Sequence, residues 1–219
     1  MLNESDLNAL WLTIQLALVT TVILLLLGIP LGWWLARTRW KLKFLLDAVI
    51  ALPLVLPPTV LGFYLLIFLG PKGPFGDTSL AFTFPGLIIG SVIYSLPFVV
   101  QPIQNAFASI HSEQLEVAST LGSTRWSRFL SIALPLARPG ILTGAVLGFA
   151  HTLGEFGVVL MIGGNIPGST RVVSIAIYDH VEGLNYGDAH RLSIVLLVLS
   201  FLMLIAVYGL NRKTRVGLV

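Results

Sequence analysis

The side chains able to do chemistry are few in this chain. His151 and Glu155 stand four residues apart in an otherwise apolar stretch. That spacing puts both on one helix face and could offer two metal ligands. A zinc-protease helix needs His-Glu-x-x-His, which this is not. Asp179, His180, Glu182, Asp188 and His190 gather in one polar segment without a recognised ligand spacing, so a hydrated loop is expected there. Gly163-Gly-Asn-Ile-Pro-Gly168-Ser-Thr170 has the outline of a phosphate loop but lacks the lysine that must reach the phosphates. No nucleophile–base pair is visible, and the chain has no cysteine. No catalytic residue, no metal and no cofactor are expected in this chain.

A different kind of chemistry is written between residues 111 and 138. Ser112 can cap a helix start, with Glu113 and Glu116 near its positive end. Leu115, Ala118 and Leu121 keep helical spacing, and Gly122 suits the left-handed turn that stops a helix. Ser123 or Thr124 can cap a second helix over 125–132, and Pro135 and Pro139 mark its exit. Two readings follow from the residues alone: a helix lying at a membrane surface, held by Trp126 and Phe129, or a helix inserted into a groove on a partner.

The elements that must position this hairpin are membrane spans. Only 11% of the 219 residues are charged and mean hydropathy is +0.91, against about 25% charged in soluble domains. A bilayer core needs roughly 20 apolar residues per helix. Five stretches qualify: 10–36, 48–70, 82–110, 139–164 and 192–210. No Lys or Arg precedes the first, so it reads as a permanent span rather than a signal peptide. No soluble domain fits, and a single membrane domain over 1–219 is expected.

Charge sets the orientation. Arg37, Arg39, Lys41, Lys43, Arg125, Arg128, Arg138, Arg212, Lys213 and Arg215 place ten of the 13 basic residues on one side. The other side has Lys72, Arg171 and Arg191 among Glu4, Asp6, Asp77, Asp179, Glu182 and Asp188. The positive-inside bias puts the N-terminus outside and the C-terminus in the cytoplasm. These clusters read as topological anchors in the lipid bilayer, not as a nucleic-acid surface.

Two spans carry interruptions. Pro53, Pro57 and Pro58 disturb the second, either as a kink or as a broken helix beside a pathway. In the fourth, Gly140, Gly144 and Gly148 fall on one stripe, which His151 and Glu155 share unless the helix breaks at Gly154 or Gly157. Gly28-xxx-Gly32 and Gly86-xxx-Gly90 suggest further close helix contacts.

The hairpin resembles the coupling segment of ABC importer membrane subunits. Their hallmark is Glu-Ala-Ala, three residues, Gly, nine residues, Ile-x-Leu-Pro. This sequence matches at Glu116, Ala118, Gly122, Ile132, Leu134 and Pro135 and departs at Val117. Leu52-Pro-Leu-Val-Leu-Pro-Pro-Thr-Val-Leu-Gly62, Leu80-Ala-Phe-Thr-Phe84, Ser95-Leu-Pro-Phe98, Leu153-Gly-Glu-Phe-Gly157 and Asn165-Ile-Pro-Gly168 resemble the molybdate permease family. Sulfate permeases share part of this, especially Gly-Glu-Phe-Gly.

The resemblance implies an all-α integral membrane protein of the type I ABC importer permease class, with five transmembrane helices and a cytoplasmic coupling hairpin. It implies a bacterial-type cytoplasmic (inner) membrane. Its partners would be a second copy of itself, a cytoplasmic ABC ATPase subunit carrying ATP and Mg, and a periplasmic oxyanion-binding protein. The cargo would be molybdate or tungstate, with sulfate or thiosulfate as the alternative and an autonomous carrier or channel as the competing class. Pro53, Pro57, Pro58, Thr59, Gly154 and Gly157 are the pathway or gating candidates. His151 and Glu155 are expected to be structural intramembrane polar groups. A carboxylate facing a dianion repels it, so Glu155 is expected off the path or in a hydrogen bond, for instance with His151.

Overall fold

The computed structural model describes residues 3–216, with side chains described as far as Ile205. Arg212, Lys213 and Arg215 therefore lie outside the described side chains. Among the described residues the regular elements are all helical.

Helix α1 (Glu4–Arg37) starts at Asn3, whose side chain accepts a 2.7 Å bond from the Asp6 N–H. Its 34 residues span about 50 Å, more than a bilayer core needs. α2 (Lys43–Val55) and α3 (Pro58–Leu69) meet at a 110° bend. The cause is local: a residue before proline is driven out of helical geometry. Leu56 and Pro57, each followed by proline, have ψ of 136° and 134°. The triple-proline interruption is thus a broken helix rather than a kink.

α4 (Phe84–Ala108) is capped by Thr83, which accepts from the Gly86 N–H, and runs on through Pro97 and Pro102. Next come α5 (Ser112–Thr120), α6 (Arg125–Arg128), one π turn (Phe129–Ala133), α7 (Leu134–Leu136) and α8 (Arg138–Leu153). α9 (Gly157–Gly163), α10 (Val173–Glu182) and α11 (Tyr186–Val216) complete the chain. α1, α4 and 186–205 of α11 are each long and apolar enough to cross a membrane. Five crossings result if α2 with α3, and 125–136 with α8, each count as one bent span. The expected fourth span, 139–164, is no single rod, because α8 stops at Leu153 and α9 begins at Gly157.

α4 is the axis of the fold. Gly28 and Gly32 bring α1 onto it, so close that a Cβ at Gly32 would stand 2.8 Å from Ile103. The stripe on α8 does the same: a Cβ at Gly144 would stand 2.9 Å from the Val99 carbonyl oxygen. Gly140 faces Pro102 and Ala106, and Gly148 faces Val99. Small residues thus let three backbones approach around one cluster of Leu24, Val99, Ile103 and Phe107. Gly86 and Gly90 do not act as a pair: Gly90 meets Ile162 of α9, whereas Gly86 meets the carbonyl of Leu80 in its own loop.

Candidate functional site

The hairpin divides into a presented half and an anchored half. His111, not Ser112, occupies the cap position of α5. Glu116 is exposed, and Val117 and Leu121 project with 60% and 82% of their surface free. Gly122 has φ +81°, the left-handed conformation that glycine adopts without strain, and α5 ends there. Thr124 caps α6 by accepting from the Ser127 N–H. Three bonds hold the halves together: the Ser123 N–H and Oγ donate to the Ala118 carbonyl at 3.1 and 2.6 Å, and Arg128 Nη1 donates to the Leu115 carbonyl at 3.2 Å.

Beyond Arg128 the motif turns inward. Ala133 and Ala137 are buried in the α4 cluster, with Phe129 and Leu134 packed against it. Trp33 of α1 lies edge-on to Phe107, with ring centroids 5.1 Å apart, and contacts Phe129 at 5.4 Å. Arg37 Nη2 donates to the Ile110 carbonyl at 2.9 Å, satisfying a carbonyl just past the end of α4. Glu116, Ala118 and Gly122 therefore sit on the presented half, while Ile132, Leu134 and Pro135 belong to its mount. The mount packs on α1 through Trp33 and on α4 through Phe107.

The second feature is a cavity of about 600 Å³ where the two breaks meet. Pro58 and Thr59 from the start of α3, Gly154, Glu155 and Gly157 around the second break, and Tyr94 of α4 all line it. Contact here is tight, since a Cβ at Gly157 would stand 2.7 Å from Pro58 Cβ. Of the pathway candidates, Pro58, Thr59, Gly154 and Gly157 share this cavity; Pro53 is buried within α2 and Pro57 forms the corner.

His151 is locked by α4. Its Nδ1 lies 2.9 Å from Ser95 Oγ, which lies 3.0 Å from Thr152 Oγ1. Thr152 donates its one proton to the Gly148 carbonyl. Ser95 must then donate to Thr152, so Nδ1–H of His151 donates to Ser95. Phe98 stacks on the ring at 3.9 Å and Tyr94 flanks it at 4.6 Å. Glu155 does not take the one partner named for it. It makes no bond to His151: the helix ends at Gly154, so i and i+4 no longer share a face. Both its carboxyl oxygens are buried in the cavity wall, out of the opening, and no described residue makes a hydrogen bond of good geometry to them. Its backbone carbonyl accepts from Ser174 Oγ at 2.6 Å.

The polar segment after α9 is ordered rather than merely hydrated. Arg171 pairs with Asp179 at 2.6 Å, Asn165 donates to Asp179, and His180 Nε2 meets the buried Asp6 at 2.9 Å. Helix α10 aligns these groups against the first turn of α1. The Val173 N–H adds a 2.8 Å bond to Thr13 of α1. Gly163–Thr170 closes on itself, with Thr170 Oγ1 donating to the Gly163 carbonyl. Among the described residues no group of three metal-ligating side chains occurs.

Sequence reasoning missed Ser95, Tyr94 and Phe98 as site residues. The available signal was polar and aromatic residues recurring at helical spacing within an apolar α4.

Residues 28–216 match the family described as the binding-protein-dependent transport system inner membrane component. The molybdenum transport permease protein ModB of Azotobacter vinelandii is 57% identical over 99% of both chains. That of Escherichia coli K12 is 35% identical over 98% of this chain and 97% of its own. The E. coli sulfate permease protein CysT is 32% identical over 96% of this chain and 78% of its own. Among solved structures, a bacterial alginate ABC transporter superposes with TM-score 0.81 at 19% identity, covering 96% of this chain and 80% of the other. A methionine ABC transporter superposes with TM-score 0.74 at 20% identity, covering 94% of each. These two likenesses establish the type I importer permease fold.

Proposed function

Because the chain belongs to the family of binding-protein-dependent transport system inner membrane components, it is a permease subunit of an ABC importer, and we propose that the cargo it moves is molybdate. It is a multi-pass inner-membrane protein, and ATP hydrolysis belongs to a separate subunit. The full-length likeness to a molybdenum transport permease carries the choice of anion; tungstate has the same tetrahedral dianionic chemistry. Sulfate ranks behind it, since the sulfate relative is less similar and longer.

The working unit is two copies of this chain, two cytoplasmic ATPases and a periplasmic binding protein that delivers the oxyanion. The N-terminus lies outside and the C-terminus inside, with 1–219 forming one permease domain. The exposed face of α5, with Glu116, Ala118 and Gly122, enters a groove on the ATPase. Ile132, Leu134 and Pro135 seat the hairpin, so that ATPase closure rocks α1, α4 and α8. The anion passes the cavity between the two breaks, where Pro58, Thr59, Gly154 and Gly157 shape the opening and the Glu155 carboxyl oxygens stay buried in the wall, away from it. Metal and ATP sites are assigned to the ATPase.

Uptake by the complete complex in liposomes tests this. ATPase activity should rise with molybdate-loaded binding protein, and sulfate should compete weakly. Molybdate uptake by this chain alone would support the autonomous carrier instead.

A further inference from the structure

A second hollow adjoins the lining of the first through one ring contact. It measures about 320 Å³ and lies between α2, α4 and α8, with Leu54, Phe98, Gln101, Asn105 and Leu147 on its walls. Tyr94, Phe98, Gln101 and Asn105 follow one another at steps of four, three and four, so they share one face of α4. Phe98 lines this lower hollow, and its ring is stacked at 3.9 Å on His151, which lines the upper one. One aromatic pair thus stands between the two spaces. The pair is held in place, because His151 is bonded to Ser95 and Thr152 is bonded in turn.

The amides below this barrier are free. Neither Gln101 nor Asn105 makes a side-chain hydrogen bond among the described residues, whereas neighbouring Gln104 donates to Asp47 at 3.1 Å. Asn105 is exposed in the last turn of α4, at one end of this membrane span. An amide facing lipid would be left unsatisfied, so this face meets water or polar cargo. Among the described residues no Lys or Arg lines either hollow. Neutral N–H donors hold a tetrahedral dianion without binding it permanently, which suits a site that must also release.

We propose that Gln101 and Asn105 form an inner station for the oxyanion, separated from the outer cavity by the Phe98–His151 stack, which acts as the barrier between them. This rests on the outer cavity being the path. In that path, the outer breaks admit the anion, the ring pair parts when the hairpin moves, and the amides receive it before it leaves.

The test uses the complete complex in liposomes, with molybdate as the probe. Asn105→Asp and Gln101→Glu keep size but place a carboxylate at the station. Molybdate uptake should fall by about tenfold or more, the scale of a fixed like charge facing a dianion. ATPase stimulation by the loaded binding protein should survive, and Asn105→Ser, which keeps a donor, should retain uptake. A second measurement uses Asn105→Cys in this cysteine-free chain. Molybdate should slow its modification by an anionic thiol reagent, and Phe98→Ala should open it to reagent added from outside. Wild-type uptake by both carboxylate variants, or thiol modification indifferent to molybdate, overturns the inner station. Failure of the carboxylate variants to assemble assigns the amides to the contact between copies and also overturns it. The outer reading is judged separately: uptake unchanged by Gly154→Trp in the upper cavity would remove the path itself.

Discussion

Both carboxyl oxygens of Glu155 are buried in the wall of a cavity, and no described residue makes a hydrogen bond of good geometry to them. A buried group in that state contributes no stability that its removal could forfeit. Glu155→Gln is therefore expected to assemble to wild-type yield and to alter the rate or selectivity of molybdate uptake. Loss of assembly on size exclusion would show instead that the carboxyl holds a bond across the dimer. Gly122 makes the opposite kind of residue. A side chain there meets no atom within 4 Å, and φ +81° costs a non-glycine residue about 1 kcal/mol. Gly122→Asp should leave the permease folded while ATP hydrolysis no longer drives uptake. Coupled transport by that variant would count against docking at α5. The hairpin residues were legible because the motif is a spacing, and spacing survives in sequence. The environment of Glu155 was not, because it depends on a backbone break whose position the glycines allowed at two places.

At the scale of elements, helix contacts were readable where glycines recur every four residues. Gly28, Gly32, Gly140, Gly144 and Gly148 all close on α4. Gly144→Val should force the Val99 backbone away and cost about 1–3 kcal/mol, seen as a lower melting temperature of the purified permease. An unchanged melting temperature would mean α8 is free to slide on α4. What sequence could not supply was direction. Three prolines announced the break that the backbone makes at Leu56 and Pro57, but the seat of α3 against α9 at Gly62 and Gly157 depends on packing between distant segments. The segment after α9 shows the same gap. Its charges looked scattered, yet helical spacing on α10 and the far-off start of α1 draw Asp6, Arg171, Asp179 and His180 into paired contacts. Asp179→Asn should loosen α10 without touching the hairpin, measured as faster hydrogen exchange over 173–182 alone.

For the whole molecule, the proposed mechanism makes the parts one lever. The presented half of the hairpin is exposed, its mount is buried against α4, and α4 runs from that mount to the cavity between the two breaks. The hairpin's place on the cytosolic side, and its grip by a separate ATPase, are the claims on which the mechanism stands. One measurement reaches both. With no native cysteine to remove, Leu121→Cys places a single thiol on the exposed tip of the hairpin. In right-side-out vesicles carrying the complete complex, that thiol should resist an impermeant reagent added outside. In inside-out membranes it should cross-link to the ATPase, with a yield that changes when ATP is bound. Labelling from the outside, or a thiol that never cross-links to the ATPase, would contradict the account.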